Sequence, residues 1–327
     1  MFPDKLKKGD EIRIIAPSRS LSLISEENIK FAKSRLESMG FKVTFSKNCR
    51  ESDMFISSSI NSRVQDIHEA FADKNVKAIF TVIGGFNSNQ LLKYLDYNLI
   101  KKNPKILCGY SDFTAFANAI TAKTELVTYY GPHFSTWSMK KEFDYILEYF
   151  KKCLMSNEEF EVKSSLSWSD DTWYKDQENR IVEKNEGLIV INPGKAEGKI
   201  LGGNLCTFNL LQGTEFFHNL KNSILFIEDD DMPKEGFDVE FDRDLQSLIH
   251  QQGFEKVKGL VIGRFQKKAE MNMDKLRYIL STKEELKNIP IIANADFGHT
   301  YPICTLPLGG TAEIEANKKA VIRIINH

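Results

Sequence analysis

Hydrophobic and polar positions alternate through the first half of the chain as a regular succession of short apolar runs and amphipathic segments. The apolar runs predict strands, and segments whose apolar residues recur every three or four positions predict helices. The predicted strands are 11–17, 41–46, 76–83, 106–108 and 126–130, and the predicted helices are 25–39, 59–72, 87–95, 112–123 and 141–155. This order predicts an α/β fold with a Rossmann-like, doubly wound parallel sheet and right-handed crossovers.

The pattern changes after residue 155. Charged residues and serines fill 156–186 together with Trp168 and Trp173, so this segment is predicted as a linker and a substrate-binding loop. Beyond it the pattern predicts short strands at 187–201, strands at 223–227, 257–264 and 289–294, helices at 242–252 and 273–286, and a hairpin at 311–325. We therefore predict an N-terminal Rossmann-like domain (1–157), a linker and substrate loop (158–186), and a smaller, mostly β C-terminal domain (187–327).

Composition narrows the possible functions. A chain of 327 residues is long enough for two domains. Its 44 basic and 45 acidic side chains nearly balance, so neither a nucleic acid polymer nor a membrane is expected as a partner. The polar first ten residues and the absence of a long apolar run predict a cytoplasmic protein. Five scattered cysteines argue against a disulfide framework and against a zinc site.

Ser111 occupies the most informative position in the first half. It lies between the predicted strand 106–108 and the predicted helix 112–123, with Gly109 two residues before it. A serine on such a turn projects its hydroxyl at the carboxyl edge of the sheet, as a nucleophile elbow does. Phe113 stands where many elbows have a second glycine, and a serine here is also a common helix cap. Both a nucleophile and a cap remain open at this point.

A serine nucleophile requires a base and a group that orients the base. Among the six histidines, His133 follows the fifth predicted strand, and His299 lies in a loop between Gly298 and Pro302. His299 is the preferred candidate, His133 is the second, and a site with no catalytic histidine is the third possibility.

Glu228 is the last residue of an apolar strand, where a carboxylate can be partly buried and aimed at a neighbour. The aspartates 229–231 that follow are expected at a solvated strand end, and the run has no glycine of the kind that calcium loops need. No metal is therefore expected. Gly84-Gly85 follows the third strand and predicts either a tight turn or a backbone N–H that faces a developing oxyanion. It is not a dinucleotide-binding motif.

Four motifs together resemble the L,D-carboxypeptidase family of serine peptidases in order and spacing. They are Gly109-Tyr110-Ser111-Asp112, Gly202-Gly203-Asn204-Leu205, the strand that ends at Glu228, and Gly298-His299. The resemblance spans nearly the whole chain. It implies a Rossmann-like domain followed by a mostly β domain, an active site between them, a homodimer, and no cofactor.

The resemblance also implies the roles of individual residues. Ser111 would be the nucleophile, His299 the general base and then acid, and Glu228 the residue that orients the histidine. Gly85 and Asp112 would supply backbone N–H groups to the oxyanion hole. Each role is an expectation carried over from the family pattern.

Two branches of the family differ in substrate. The sequence 84–90 resembles the microcin C immunity branch, which cleaves peptidyl- or aminoacyl-nucleotide amides, more than the murein tetrapeptide branch of cell-wall recycling. Trp168 or Trp173 could then stack on a nucleobase, and Asn204 and Arg243 are further candidates for substrate contact. A murein tetrapeptide carboxypeptidase is the alternative. A non-catalytic protein that binds peptidoglycan fragments or nucleotides is the third hypothesis.

Overall fold

The first half of the chain forms a six-stranded sheet in the computed structural model, which describes residues 1–232 and 235–327. Five parallel strands of this sheet come from the first half: β1 (Glu11–Ile15), β2 (Lys42–Phe45), β3 (Val76–Thr81), β4 (Ile106–Gly109) and β5 (Thr128–Tyr130). Their spatial order is β2, β1, β3, β4, β5. The chain thus winds outward in both directions from β1, which confirms the predicted doubly wound sheet.

Helices connect these strands close to the predicted positions. They are α1 (Glu26–Ser38), α2 (Ile60–Ala72), α3 (Tyr97–Lys102), α4 (Phe113–Thr124) and α5 (Asp144–Met155), with 3-10 turns at Leu21–Leu23, Ser88–Tyr94 and Ser135–Ser138. Ser25 and Ser59 begin α1 and α2 because each side chain accepts a hydrogen bond from a backbone N–H three residues later. The predicted helix 87–95 is the 3-10 turn, and α3 was not predicted.

The segment predicted as a linker contains three short strands, β6 (Phe160–Glu161), β7 (Ser167–Trp168) and β8 (Glu183–Lys184). β7 and β8 pair with each other, and β6 joins the sheet of the second half. Strands of two residues are too short to produce a periodic sequence signal, which explains why the pattern did not predict them.

The second half forms an eight-stranded sheet. Its strands from this half are β9 (Ile189–Asn192), β10 (Gly194–Asn204), β11 (Ser223–Glu228), β12 (Gly259–Gly263), β13 (Ile291–Ala295), β15 (Thr311–Ala316) and β16 (Ala320–Asn326). β10 to β13 are parallel, and the outer strands are antiparallel. The helices are α6 (Leu205–Asn209), α7 (Phe237–Ile249) and α8 (Met273–Ser281), with 3-10 turns at Phe254–Lys256, Lys267–Ala269 and Glu284–Leu286. This arrangement confirms a second, mostly β unit.

One strand from the second half belongs to the first sheet. β14 (Leu306–Leu308) pairs antiparallel with β5, with Leu306 opposite Tyr130. β14 covers the edge of β5 that would otherwise be open. The predicted division into 1–157, 158–186 and 187–327 remains a prediction, and the sheet of the first half extends beyond its own stretch of chain.

Buried apolar side chains from both sheets form the core, and β3, β4 and β5 are buried along almost their whole lengths. Continuous burial is expected for parallel strands with helices on both faces. The carboxyl ends of β1, β3 and β4 lead to Ser18, Gly84 and Ser111, around the point where the winding direction reverses. Ligands of such sheets bind at that point. Among the described residues, no helix is long and apolar enough to cross a membrane.

Candidate active site

Ser111 occupies a strained turn between β4 and α4. Its φ is +62°, a left-handed conformation that non-glycine residues adopt at a cost of roughly 1–3 kcal/mol and that concentrates at functional sites. Its N–H donates to the Tyr130 hydroxyl at 3.0 Å. The helix cap position belongs to Asp112, and the Ser111 hydroxyl instead lies 3.0 Å from His299 Nε2. The capping alternative is therefore wrong for this serine side chain.

His299 connects Ser111 to Glu228. Its Nδ1 lies 2.8 Å from Glu228 Oε2, while its Nε2 faces the serine. Glu228 is fully buried at the end of β11, and its second oxygen accepts a hydrogen bond from the Tyr130 hydroxyl at 2.6 Å. Gly298 has a φ of +101°, and a Cβ there would lie 2.6 Å from the Glu228 carboxyl carbon. Glycine at this position therefore lets the histidine loop approach the carboxylate.

The charge state of His299 is set by two opposing effects. Burial disfavours the imidazolium, but the adjacent Glu228 carboxylate, with help from Asp230 and Asp229, favours it and raises the pKa of His299 to about 9. The raised pKa favours the protonated form of the His299 ring. Deprotonated His299 is the form that can accept a proton from Ser111.

His133, the second candidate base, is also buried near Ser111 but is not bonded to it. Its Nδ1 lies 2.6 Å from the Thr81 hydroxyl, and its ring packs on Tyr110 with centroids 4.2 Å apart. Its Nε2 has no hydrogen-bond partner within residues 1–232 and 235–327. Burial, together with the charge of His299, lowers the pKa of His133 to about 3. His133 is therefore neutral at physiological pH.

Gly85 and Asp112 are the residues expected to form an oxyanion hole. Neither backbone N–H donates to a protein acceptor in the part of the chain that the structure describes, so both are available to a ligand. The Asp112 carboxylate accepts hydrogen bonds from the Ser18 hydroxyl and from the N–H groups of Asn87 and Ser88. This carboxylate therefore fixes the turn that contains Gly85, a role that sequence analysis missed.

The aspartates after Glu228 differ in environment. Asp229 was expected at a solvated strand end, but it is buried and accepts hydrogen bonds from Asn204 Nδ2 at 3.1 Å and Cys206 N at 3.3 Å. Burial and then the charges of Glu228 and Asp230 raise the pKa of Asp229 to about 7. The buried part of the chain at the end of β11 therefore extends one residue further than the sequence pattern indicated.

A possible ligand set for a metal ion lies beside this aspartate. Cys206, Asp229 and Asp230 each offer an atom within 4.8 Å of the others. Cys206 is exposed, and its thiol donates to Asn204 Oδ1 at 3.1 Å. The expectation that the chain binds no metal remains a prediction.

The expected substrate contacts differ in exposure. Trp173 lies in the segment predicted as a linker and substrate-binding loop, but it is buried and packs edge-on against Tyr301, with ring centroids 6.2 Å apart. Trp168 is half-buried and lines an open cavity of about 600 Å³. Asn204 is buried and begins α6 by accepting a hydrogen bond from Thr207 N. Arg243 is exposed on α7 and pairs with Glu240 at 3.0 Å.

Arg264, which directly follows β12, is paired with groups of the protein itself. Its guanidinium lies 2.7 Å from the buried Asp296 carboxylate and over the Trp168 ring at 5.2 Å. The Trp168 ring is approached by Lys267 as well, at 5.4 Å. The salt-bridge role that is usual for an arginine therefore holds for Arg264.

Comparison with known proteins assigns the family. The model of the LD-carboxypeptidase N-terminal domain matches residues 12–131, and that of the LD-carboxypeptidase C-terminal domain matches 197–314. The chain belongs to the LD-carboxypeptidase family. It is 56% identical to the putative carboxypeptidase YocD of Bacillus subtilis, over 97% of this chain and 96% of that protein. A crystal structure of an MccF-like protein from Bacillus anthracis matches with a TM-score of 0.99 and 57% identity over the full length of both chains.

More distant LD-carboxypeptidase relatives have more specific names. The microcin C7 self-immunity protein MccF of Escherichia coli is 31% identical over 97% of this chain and 93% of its own length. A probable murein peptide carboxypeptidase of Bacillus subtilis is 30% identical over 98% of this chain and 93% of its own length. The structure of MccF in complex with glutamyl sulfamoyl guanosine matches with a TM-score of 0.87 at 29% identity, over 99% of this chain and 98% of that one. The family resemblance expected from the sequence is thereby confirmed.

Proposed function

We propose that this chain is a serine peptidase in which Ser111, His299 and Glu228 form the catalytic triad. The supporting observation is the continuous contact from the Ser111 hydroxyl to His299 Nε2 at 3.0 Å and from His299 Nδ1 to Glu228 at 2.8 Å. Nucleophile, base and orienting carboxylate thus stand in the order that acyl transfer requires. The strained backbone of Ser111 is consistent with this role.

In the proposed reaction, Ser111 Oγ attacks the carbonyl carbon of an amide as its proton passes to His299 Nε2. Glu228 keeps the ring oriented through Nδ1 and offsets the imidazolium charge. The backbone N–H groups of Gly85 and Asp112 stabilise the negative oxygen of the tetrahedral intermediate. His299 then protonates the leaving amine, and water hydrolyses the acyl-enzyme by the same proton transfers in turn.

Within the family, we propose a substrate of the MccF type, an amide that joins an amino acid or peptide to a nucleotide. The 31% identity to MccF and the structural match to its glutamyl sulfamoyl guanosine complex support this choice. Trp168, which lines a cavity, is the proposed nucleobase contact. Trp173, the other expected contact, is buried against Tyr301 and would have to become exposed before it could stack on a base. Asn204 and Arg243 remain proposed substrate contacts.

Murein peptide cleavage is the second candidate, because a probable murein peptide carboxypeptidase is almost equally similar at 30% identity. The purified protein should be assayed with aspartyl sulfamoyl adenosine and with murein tetrapeptide. Preferential hydrolysis of the sulfamoyl conjugate supports the first proposal, and preferential release of the terminal D-alanine supports the second.

A non-catalytic binding protein is the remaining hypothesis, and covalent labelling separates it from both. A fluorophosphonate probe modifies an activated serine, so we expect labelling of the native protein and none of Ser111→Ala. Unlabelled native protein would contradict the peptidase proposal. The expected homodimer is tested by light scattering, and a strictly monomeric protein at micromolar concentration would contradict it. The expected cytoplasmic location likewise remains a prediction.

A further inference from the structure

Arg19 lies on the loop after β1, next to the proposed oxyanion hole. A Cβ built on Gly85 would lie 3.2 Å from Arg19 Cγ, and the Arg19 N–H donates to the Gly84 carbonyl at 3.4 Å. The same test on Gly84 places a Cβ 3.0 Å from Ser111 Oγ. The stem of the Arg19 side chain therefore forms part of the wall of the proposed active site.

The Arg19 guanidinium has no anionic partner in the part of the chain that the structure describes. Within the described ranges 1–232 and 235–327, no carboxylate pairs with it, and its buried Nε has no hydrogen-bond acceptor. It lies 4.8 Å from the centre of the Phe86 ring, and Phe86 is itself 57% exposed. Leaving a buried charged donor without an acceptor costs free energy. A ligand that supplies an acceptor would recover that cost.

Arg63 shows what a structural arginine does in the same region. Its guanidinium donates to the carbonyls of Pro17 and Asn87 at 2.9 and 3.0 Å and to Gln90 Oε1 at 2.8 Å. These bonds join the loop after β1 to the loop after β3. Because Arg63 already holds the two loops together, Arg19 is not needed for that purpose and keeps its donors for a ligand.

We propose that Arg19 is a specificity-determining residue that binds a carboxylate on the substrate residue adjacent to the scissile amide. The proposal rests on the peptidase function proposed above. Contact with the face of Phe86 holds the guanidinium in place, and its planar fork matches a carboxylate with two parallel hydrogen bonds. The carboxylate can be the side chain of an aspartyl or glutamyl residue, or the free terminus of a peptide.

Matched substrates test this role and distinguish the two sources. Aspartyl and asparaginyl sulfamoyl adenosine differ only in the side-chain charge, and murein tetrapeptide and its C-terminal amide differ only in the terminal charge. We expect the native protein to favour the charged member of one pair in kcat/KM by about tenfold to a hundredfold. The pair that shows this preference identifies the source of the carboxylate.

Variants then assign the preference to Arg19. Arg19→Ala should abolish it by reducing hydrolysis of the charged substrate while the neutral one is hardly affected, and Arg19→Lys should restore part of it. Arg50→Ala is the matched control, because Arg50 is exposed and paired with Glu26, and it should behave as the native protein does. An unchanged preference in Arg19→Ala, or no preference in either pair, overturns the proposal.

Failure of the peptidase proposal can be recognised separately. Calorimetry with Ser111→Ala measures binding of the same two substrate pairs without requiring turnover. If the native protein hydrolyses neither pair, the peptidase proposal fails, and the binding data still decide the role of Arg19. The proposed role of Arg19 is supported if Ser111→Ala binds the charged member of a pair more tightly than the neutral one and Ser111→Ala/Arg19→Ala does not. Equal binding of the two members in both pairs overturns that role.

Discussion

Two histidines, the buried His133 and the half-buried His299, lie against the same tyrosine ring and have opposite acid–base properties. The ring centroid of Tyr110 is 5.6 Å from His299 and 4.2 Å from His133. The pKa of His299 is raised to about 9, whereas that of His133 is lowered to about 3. Burial disfavours the imidazolium in both, so the difference comes from the buried carboxylate of Glu228 beside His299.

The two histidines differ in the partners of their ring nitrogens. His299 contacts both Ser111 and Glu228, whereas His133 bonds to the neutral hydroxyl of Thr81. Only the first histidine has a partner that compensates the positive charge formed when the serine gives up its proton.

The largest expected loss of turnover is that caused by replacing Ser111, the proposed nucleophile. Ser111→Ala should reduce kcat for amide hydrolysis on the order of ten-thousandfold or more, since the hydroxyl that is proposed to attack the amide is then absent. The thermal unfolding midpoint should hardly change or should rise, because alanine removes no core volume. Steady-state kinetics and a melting curve measure the two effects. A variant that keeps a tenth of the native turnover would rule out a serine mechanism.

Removal of each imidazole compares the two histidines directly. His299→Ala should approach the loss seen for Ser111→Ala, whereas His133→Ala should retain far more turnover, with its folded state checked by circular dichroism. The reverse ranking would identify His133 as the base and would contradict the family-based assignment at this residue.

The orienting carboxylate should have a somewhat smaller effect. Glu228→Gln keeps the shape of the site but cannot offset an imidazolium, so turnover should fall about a thousandfold. Asp230→Asn is the matched control, because Asp230 lies farther away, at 3.8 Å from His299 Nε2. A loss of less than fivefold is expected there. Equal losses in the two variants would mean that the acidic run acts as a whole rather than through Glu228.

The pH dependence follows from the raised pKa of His299. Because the protonated imidazole cannot accept the serine proton, kcat/KM should rise with pH, about tenfold per unit, and level off near pH 9. In Glu228→Gln the inflection should move to lower pH, since the main cause of the raised pKa is gone. An inflection that stays near pH 9 in this variant would show that another group controls the rate.

The smallest effect concerns stability. The pKa of His133 is lower in the folded protein than its unfolded value of about 6.5. The contribution of His133 to the free energy of unfolding should therefore be fully present above pH 6.5. It should fall by on the order of 1 kcal/mol per pH unit as pH decreases towards 3. His133→Gln should flatten this decrease in urea unfolding curves between pH 4.5 and 6.5.

The contribution of His299 to the free energy of unfolding should change with pH in the opposite direction. Its folded pKa of about 9 lies above the unfolded value, so its contribution to stability is complete below pH 6.5 and is lost as pH rises towards 9. His299→Gln should flatten the alkaline side and leave the acid side unchanged. Identical profiles in the two variants would remove the physical basis of the comparison.

The sequence predicted the regular part of this molecule well. Buried parallel strands and capped helices leave strong local patterns, so β1 to β5 and the helices α1, α2, α4 and α5 were predicted close to their observed bounds. Ser111, His299 and Glu228 were proposed from their places at strand ends and from family motifs, and the structure brings them together. Their catalytic roles, the dimer and the domain boundaries remain predictions.

What the sequence missed depends on contacts between distant segments. Tyr130 is a strand residue whose hydroxyl contacts both Ser111 N and Glu228, and only the assembled sheets bring these groups together. The burial of Asp229 and Trp173 likewise depends on packing that local periodicity does not encode. The two-residue strands of the segment 156–186 form through pairing with residues far along the chain or across a loop.

β14 comes from the second half of the chain but pairs with β5 in the sheet of the first half. This pairing limits how the protein can be divided into fragments. A fragment that ends near residue 157 would expose the edge of β5, and the complementary fragment would carry a short apolar strand with no partner. A chimaera of two relatives joined in the linker would pair Leu306–Leu308 from one parent with β5 from the other. Tyr130, which contacts Glu228, lies in that pairing. Recombination should therefore follow the sheets rather than the chain order, with β14 inherited together with β5.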